Sequence, residues 1–339
     1  MTKKAILLLN LGSPKSPSTE DVRTYLNEFL MDGKVIDLPY LLRLLLVKGI
    51  ITRFRAPKSA KLYESIWTKE GSPLVVITEK LTRQVEEFTG LPTYFSMRYA
   101  THAPQDIMKQ MYAEHPDLEE VVLLPLYPHY AMSSYETGVE YAVKAHKEGG
   151  FPFDLQIIPP YYNKGHYIEA LSEIIDPFVK KEYDHIVFSY HGIPERHVKK
   201  TDITKSHCLK VNDCCNVDSD AHNYCYRHQV IETTELIAKK LSIPKEKYSF
   251  AFQSRLGADA WLKPYTAKRL EEMPKEGIKN LLVVCPAFVS DCLETLEEMH
   301  EEGKEIFMEA GGEHFEVIPC LNNEMSWVKS INELVTESI

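Results

Sequence analysis

Three groups of side chains in this 339-residue chain have types and spacings that could do chemistry. The first is a single histidine. His185-Ile186-Val187-Phe188-Ser189-Tyr190 is a short apolar run that delivers His191 into the turn Gly192-Ile193-Pro194. An imidazole there can accept a proton or ligate a metal near neutral pH; the plainer alternative is a histidine satisfied by nearby carbonyls. The second group is Asp291, Glu294 and Glu298, which stand at i, i+3 and i+7 after Cys285-Pro286. A continuous helix over Asp291–Gly303 would put these acids on one face, although acids in a first turn also simply offset the helix dipole. Leu293, Leu296 and Met299 occupy the adjoining apolar positions and would turn some of the acids inward. The third group is Cys208, Cys214, Cys215 and Cys225, four of seven cysteines within eighteen residues, beside His207. Clustered thiols in a reducing compartment favour a metal or cluster site, and the gaps of five and nine residues match no zinc-ribbon spacing. Cys285, Cys292 and Cys320 read as individually structural.

Positioning such groups needs a scaffold, and the chain alternates two periodicities. Strands are expected at Ala5–Leu11, Thr93–Met97, Val121–Leu126, Leu155–Ile158, His185–Tyr190, Tyr248–Gln253 and Leu281–Cys285. Helical patterns fall between them, at Pro73–Phe88, Ala103–Glu114, Ser134–Glu148, Tyr167–Lys181 and His228–Leu241, and a last one at Glu324–Val335. Ser18 followed by Glu20 and Asp21 starts a helix that runs through Phe29. This alternation predicts an α/β protein with parallel sheets covered by helices on both faces. In such sheets ligands bind beyond the carboxyl ends of the strands, which is where His191 falls. Leu11-Gly12-Ser13-Pro14 carries neither the glycine spacing of a dinucleotide site nor the lysine of a phosphate loop.

Length and charge set the remaining bounds. A chain this long exceeds one usual core, and two domains are expected, with the boundary at Pro159-Pro160. A net charge of -10 with a pI near 5.8 argues against nucleic acid as a partner. The apolar run after Met1-Thr2-Lys3-Lys4 is too short for a signal segment, and no stretch of eighteen apolar residues occurs, which places the protein in the cytoplasm. Two early segments break the regular pattern. Leu38–Arg55 has too much apolar surface for one face of a small helix and carries Arg43, Lys48, Arg53 and Arg55; it is read as an apolar lip lined with cations, with a core helix as the alternative. Tyr63 precedes the turn Gly71-Ser72-Pro73, which opens a helix whose N-terminus would accept an anion.

The motifs that remain carry a resemblance over almost the whole length. Leu8-Leu9-Asn10-Leu11-Gly12-Ser13-Pro14, Gly71-Ser72-Pro73, Met97-Arg98-Tyr99, Leu126-Tyr127-Pro128-His129-Tyr130, Ser189-Tyr190-His191-Gly192-Ile193-Pro194, Gln253-Ser254-Arg255, Trp261-Leu262-Lys263-Pro264-Tyr265-Thr266 and Asp291-Cys292-Leu293-Glu294-Thr295-Leu296 occur in order. In these the chain resembles the ferrochelatases, lyases that insert ferrous iron into a porphyrin in haem biosynthesis. The resemblance implies two similar doubly wound, Rossmann-like domains with a porphyrin cleft between them. The N-terminal domain would be 1–160 plus a C-terminal helix at 322–339; the second would be 161–321, with a cysteine-rich insertion at 205–226.

The resemblance also implies roles. His191 and Glu294 would be the catalytic pair that takes the substrate iron and the pyrrole protons, with Asp291 and Glu298 extending an acidic path. Arg55, Tyr63 and Ser72 match positions that hold a porphyrin propionate, for which a guanidinium has the right bidentate geometry. Leu11, Met31 and Tyr130 match apolar cleft positions. Many members of the family have histidine where this chain has Cys292. Some resemble it in carrying an internal cysteine segment associated with a [2Fe-2S] cluster, here Cys208, Cys214, Cys215 and Cys225. Adjacent Cys214 and Cys215 suit a two-iron frame better than one tetrahedral zinc, with His207 and His222 as substitute ligands. The 38–55 lip would make peripheral contact with the inner membrane. The expected substrate is protoporphyrin IX; coproporphyrin III, or a non-catalytic porphyrin or metal carrier, is the alternative.

Overall fold

The computed structural model describes residues 3–255, 257 and 259–338; Leu256 of the polar stretch after Gln253, and the terminal Ile339, lie outside these residues. The described residues form two compact units, one of 3–127, 132–159 and 328–338 and the other within 128–131 and 160–327.

The first unit is built on strands β1 (Lys4–Asn10), β2 (Thr93–Met97), β3 (Glu120–Pro125) and β4 (Asp154–Ile157), all parallel, in the order β2-β1-β3-β4. Ile6 and Leu8 are as fully buried as Ala5, Leu7 and Leu9, so β1 is covered on both faces, as a central strand of a parallel sheet must be. Helices α1 (Thr19–Leu30), α2 (Thr52–Ile66), α3 (Pro73–Thr89), α4 (Pro104–Glu114) and α5 (Thr137–Gly149) belong to this unit. Its core joins Leu7 and Leu9 to Met108, Met111, Val121, Leu123 and Phe153. At the end of β1 the chain turns through Gly12 at φ +109°, where a Cβ would stand 2.2 Å from the Tyr99 carbonyl oxygen; no other residue fits.

The second unit repeats the design. Strands β5 (His185–His191), β6 (Tyr248–Gln253), β7 (Asn280–Val284) and β8 (His314–Val317) are parallel in the order β6-β5-β7-β8. Helices α6 (Gly165–Val179) and α7 (Tyr226–Lys240) lie in this unit, and α8 (Met325–Glu337) closes the chain. Val187, Ala251, Leu281 and Val283 pack with Leu270, Phe307 and Phe315. The expected α/β class and parallel sheets are present.

One local expectation is corrected, and two features are new to the structure. β8 was not foreseen, because in His-Phe-Glu-Val only Phe315 and Val317 are buried and the stretch reads as polar. The lip is not one helix: Tyr40–Leu44 is followed by a π-helical turn at Leu45–Ile51 and then α2. Nor is Asp291–Gly303 a continuous helix, being one short α-turn, Leu293–Leu296, followed by a π-helical stretch, Glu298–Gly303.

Candidate functional site

Strand β5 ends at His191, paired in register with Gln253 at the end of β6. The His191 Nδ1–H donates to the carbonyl of Gly192 at 2.6 Å. A carbonyl can only accept, so in the neutral ring the proton is on Nδ1 and the lone pair on Nε2, the form that binds a metal or takes a proton. Gly192 is required at this turn, since a Cβ there would meet the Gln253 carbonyl oxygen at 2.7 Å and the Trp261 ring at 3.2 Å.

The carboxylates reach this strand edge by different routes. Glu298 accepts from the Ser254 amide at 2.7 Å, the Ser254 hydroxyl at 2.5 Å and the Gln253 side-chain amide at 3.3 Å. Burial pushes its carboxyl above the usual range, the Ser254 hydroxyl and then His191 pull it back, and Glu294 pushes it up again. Ser254 makes both of its bonds from a left-handed backbone conformation, φ +64°, of the kind that collects at functional sites. Asp291 is the exception. It precedes the helix and is buried, its two oxygens taken by the Thr295 hydroxyl at 2.9 Å and the Asn322 amide at 2.6 Å. The expected single face shared by Asp291, Glu294 and Glu298 is therefore absent, because Cys292 caps the helix with an extended backbone and the π-helical stretch resets the spacing. Glu298 stays within electrostatic reach of His191 and of Glu294; Asp291 holds the Asn322 loop.

Gln253 is the residue that sequence reasoning quoted without giving it a role. Its side-chain oxygen accepts from the Ser189 hydroxyl at 2.7 Å, and its nitrogen donates to the Glu294 carbonyl at 2.9 Å as well as to Glu298. One buried amide thus fixes the β5–β6 edge against the acidic turn. Its place at the end of a strand was visible; its position opposite His191 and its partners required the register.

The first unit contains the candidate propionate residues. Tyr63 is buried on α2, edge-on to Tyr25 and Trp67, and Ser72 is buried at the start of α3. Arg55 is exposed, Leu11 and Met31 are half-buried. Asp32, beside Met31, accepts from Arg98 at 2.6 Å, Tyr99 at 2.8 Å and Thr137 at 2.5 Å, a network that sequence reasoning missed. Leu41, Leu45 and Phe54 of the lip are 70, 68 and 69% exposed, far more than any core helix allows. Arg43 does not extend the cationic lining; its guanidinium is bound to the Ile36 and Leu38 carbonyls. Tyr130 belongs to the second unit, where its ring meets Tyr224 edge-on at 5.1 Å.

The cysteine segment is folded and buried. Cys208, Cys214, Cys215 and Cys225 are all free thiols inside the protein. They form a chain of contacts in which Cys225 touches Cys208 and Cys215, and Cys215 touches Cys214. The contact with Cys208 is the chief reason the Cys225 thiol is pushed up to about 12. Two donors point at the sulfurs: the Leu209 amide to Cys214 at 3.4 Å and the Arg227 guanidinium to Cys215 at 3.0 Å. Among the described residues no group of three or more His, Cys, Asp or Glu is arranged to hold a metal ion. His207 and His222 both direct Nε2 at the Cys214 carbonyl, at 2.6 and 3.0 Å. Four buried thiols in a row, with donors on two of the sulfurs, fit the spread thiolate frame of a two-iron cluster better than one tetrahedral point.

A family model described as Ferrochelatase matches residues 3–339. Curated relatives of that name include one from Pseudomonas entomophila (strain L48), 46% identical over 331 residues that cover 97% of both chains. Another, from Opitutus terrae, is 45% identical over 334 residues, covering 97% of this chain and 95% of its own. Among solved structures, SirB from Bacillus subtilis with Fe3+ superposes with a TM-score of 0.56 over 99% of this chain and 96% of its own. At 10% identity it speaks for the fold alone.

Proposed function

The chain belongs to the ferrochelatase family, and from that premise we infer that it is a lyase that inserts ferrous iron into protoporphyrin IX, the terminal step of haem biosynthesis. The observation that carries the reading at the site is the His191 ring, which turns Nδ1 to Gly192 and keeps its lone pair on Nε2, within electrostatic reach of Glu298. Metallation exchanges one Fe²⁺ for the two pyrrole protons of the macrocycle. A neutral imidazole takes the dehydrating ion or the first proton. Glu294 is the carboxylate paired with it, and Glu298, whose carboxyl burial pushes above its ordinary value, is suited to hold and pass on a proton. Asp291 serves by fixing the Asn322 loop.

We propose that Arg55, Tyr63 and Ser72 receive a propionate and that Leu11, Met31 and Tyr130 contact the macrocycle. The lip supports peripheral contact with a membrane, because its exposed leucines and Phe54 stand among Lys48, Arg53 and Arg55. No described helix is long and apolar enough to cross a membrane. A cytoplasmic location is proposed on the same footing. Cys208, Cys214, Cys215 and Cys225 would hold a [2Fe-2S] cluster, which when bound supplies one-electron chemistry.

The test is steady-state metallation of protoporphyrin IX, with coproporphyrin III as the competing substrate and His191→Ala as the control. Turnover with protoporphyrin that disappears in a folded His191→Ala protein is expected. Near-normal turnover in that variant would remove His191 from the reaction, and preference for coproporphyrin would replace the substrate.

A further inference from the structure

The cysteine segment and the catalytic histidine are joined by one residue. Tyr226 follows Cys225, is buried, and begins α7; its hydroxyl donates to the main-chain carbonyl of His191 at 2.9 Å. That carbonyl is half of the His191–Gly192 peptide, and the next carbonyl along, of Gly192, receives the His191 ring. Gly192 in turn donates its amide to the Gln253 carbonyl at 2.8 Å. The direction of the imidazole is therefore set by a short stretch of main chain, with Tyr226 holding one end. Its other end runs to a thiol: Cys225 caps α7, and its sulfur rests on Cys208 and Cys215.

A second tie runs from the same helix. Gln229, fully buried, donates to the carbonyls of His222 and Asn223 at 3.1 and 3.0 Å and accepts from the Tyr130 amide at 2.7 Å. The last turn of the cysteine segment is thereby bound to α7, and α7 to Tyr130, whose ring also meets Tyr224.

We propose that Tyr226 is a positioning residue for His191, and that through it the state of the Cys225 thiol, ligated or free, is transmitted to the iron-handling ring. Seating a cluster among sulfurs that now touch would spread Cys225 from Cys208 and Cys215 and shift the start of α7; the Tyr226 hydroxyl would carry that shift to the His191 peptide. Coupling of this kind needs only a rigid element shared by two sites. The trigger rests on the ligand reading of the four cysteines, whereas the tie itself rests on the hydrogen bond.

The experiment uses the whole protein labelled with ¹⁵N-histidine, with the His191 ring signal assigned by its loss in His191→Ala. Spectra are recorded before and after a chelator strips the cysteine segment, in the wild type and in Tyr226→Phe, which removes only the hydroxyl. The expected result is a His191 signal that moves on stripping in the wild type and stays still in Tyr226→Phe. In parallel, Tyr226→Phe should lower kcat about tenfold with little change in KM, the size of one lost hydrogen bond. An unresponsive His191 signal in the wild type, or an equal response in Tyr226→Phe, would overturn the proposal. Iron and sulfide analysis reports separately on the ligand reading: if both are absent, that reading fails, and Cys225→Ser supplies the perturbation for the same comparison.

Discussion

At the scale of single residues, two carboxylates that look alike in the sequence have different tasks. Glu298 has three hydrogen bonds to Gln253 and Ser254, whereas Glu294 contributes its main-chain carbonyl to that network. Glu294→Gln should therefore remove most turnover and leave porphyrin affinity nearly unchanged, since an amide keeps the shape but cannot take a proton. Equal losses of turnover and affinity, measured by fluorescence quenching of bound porphyrin, would make Glu294 a structural residue. His129 offers a test of stability. Burial drives its imidazole down to about 3 from an ordinary 6.5. Below pH 6.5 the unfolded chain takes up a proton that the folded chain refuses until about pH 3, so the contribution is full above pH 6.5 and falls as pH drops through that window. Relative to His129→Gln, the wild type should lose about 1.4 kcal/mol of stability per pH unit across it, read from urea midpoints. A difference between the two proteins that does not vary with pH would sink this.

At the scale of elements, the sequence was most legible where one period ran long enough to be counted. The strand from Tyr248 to Gln253 and the helix from Pro73 onward stood out because apolar spacing and turn residues agreed. His191 at a strand edge was legible for the same reason. What could not be read were features decided by tertiary contact. The π-helical stretch at Glu298–Gly303 changes which acids share a face, and no propensity marks it; β8 is short and polar; Gln253 became a hub only once β5 and β6 were in register. The lip could be narrowed from sequence to two readings, and exposure decides between them. Replacing Leu41, Leu45 and Phe54 by serine should change the melting temperature little, because these side chains are already in water, yet it should reduce sedimentation with anionic lipid vesicles. If instead stability falls by about 2 kcal/mol or more per residue, the cost of lost core packing, the lip is not a surface.

At the scale of the whole molecule, the cysteine segment predicts colour. The purified protein should be brown, with about two irons and two sulfides per chain. A colourless preparation holding one tightly bound zinc after anaerobic, iron-replete expression would exclude the cluster. The closing helix offers another test, since 328–338 groups with the first unit and Val328, Ile331, Leu334 and Val335 are buried. Ending the chain at Trp327 should lower the melting temperature or abolish soluble expression. The two units share one wiring diagram, each a four-stranded parallel sheet with its first strand second in the row. Such an internal copy is what duplication of an ancestral gene would leave, and β1 and β5 end at equivalent points. One copy ends in Asn10, whose amide closes on Thr78 at 3.0 Å, and the other in His191. Descent from a common half would mean that the imidazole was gained, or lost, on one side only, and that a symmetric ancestor became a polypeptide whose halves evolve under separate selection.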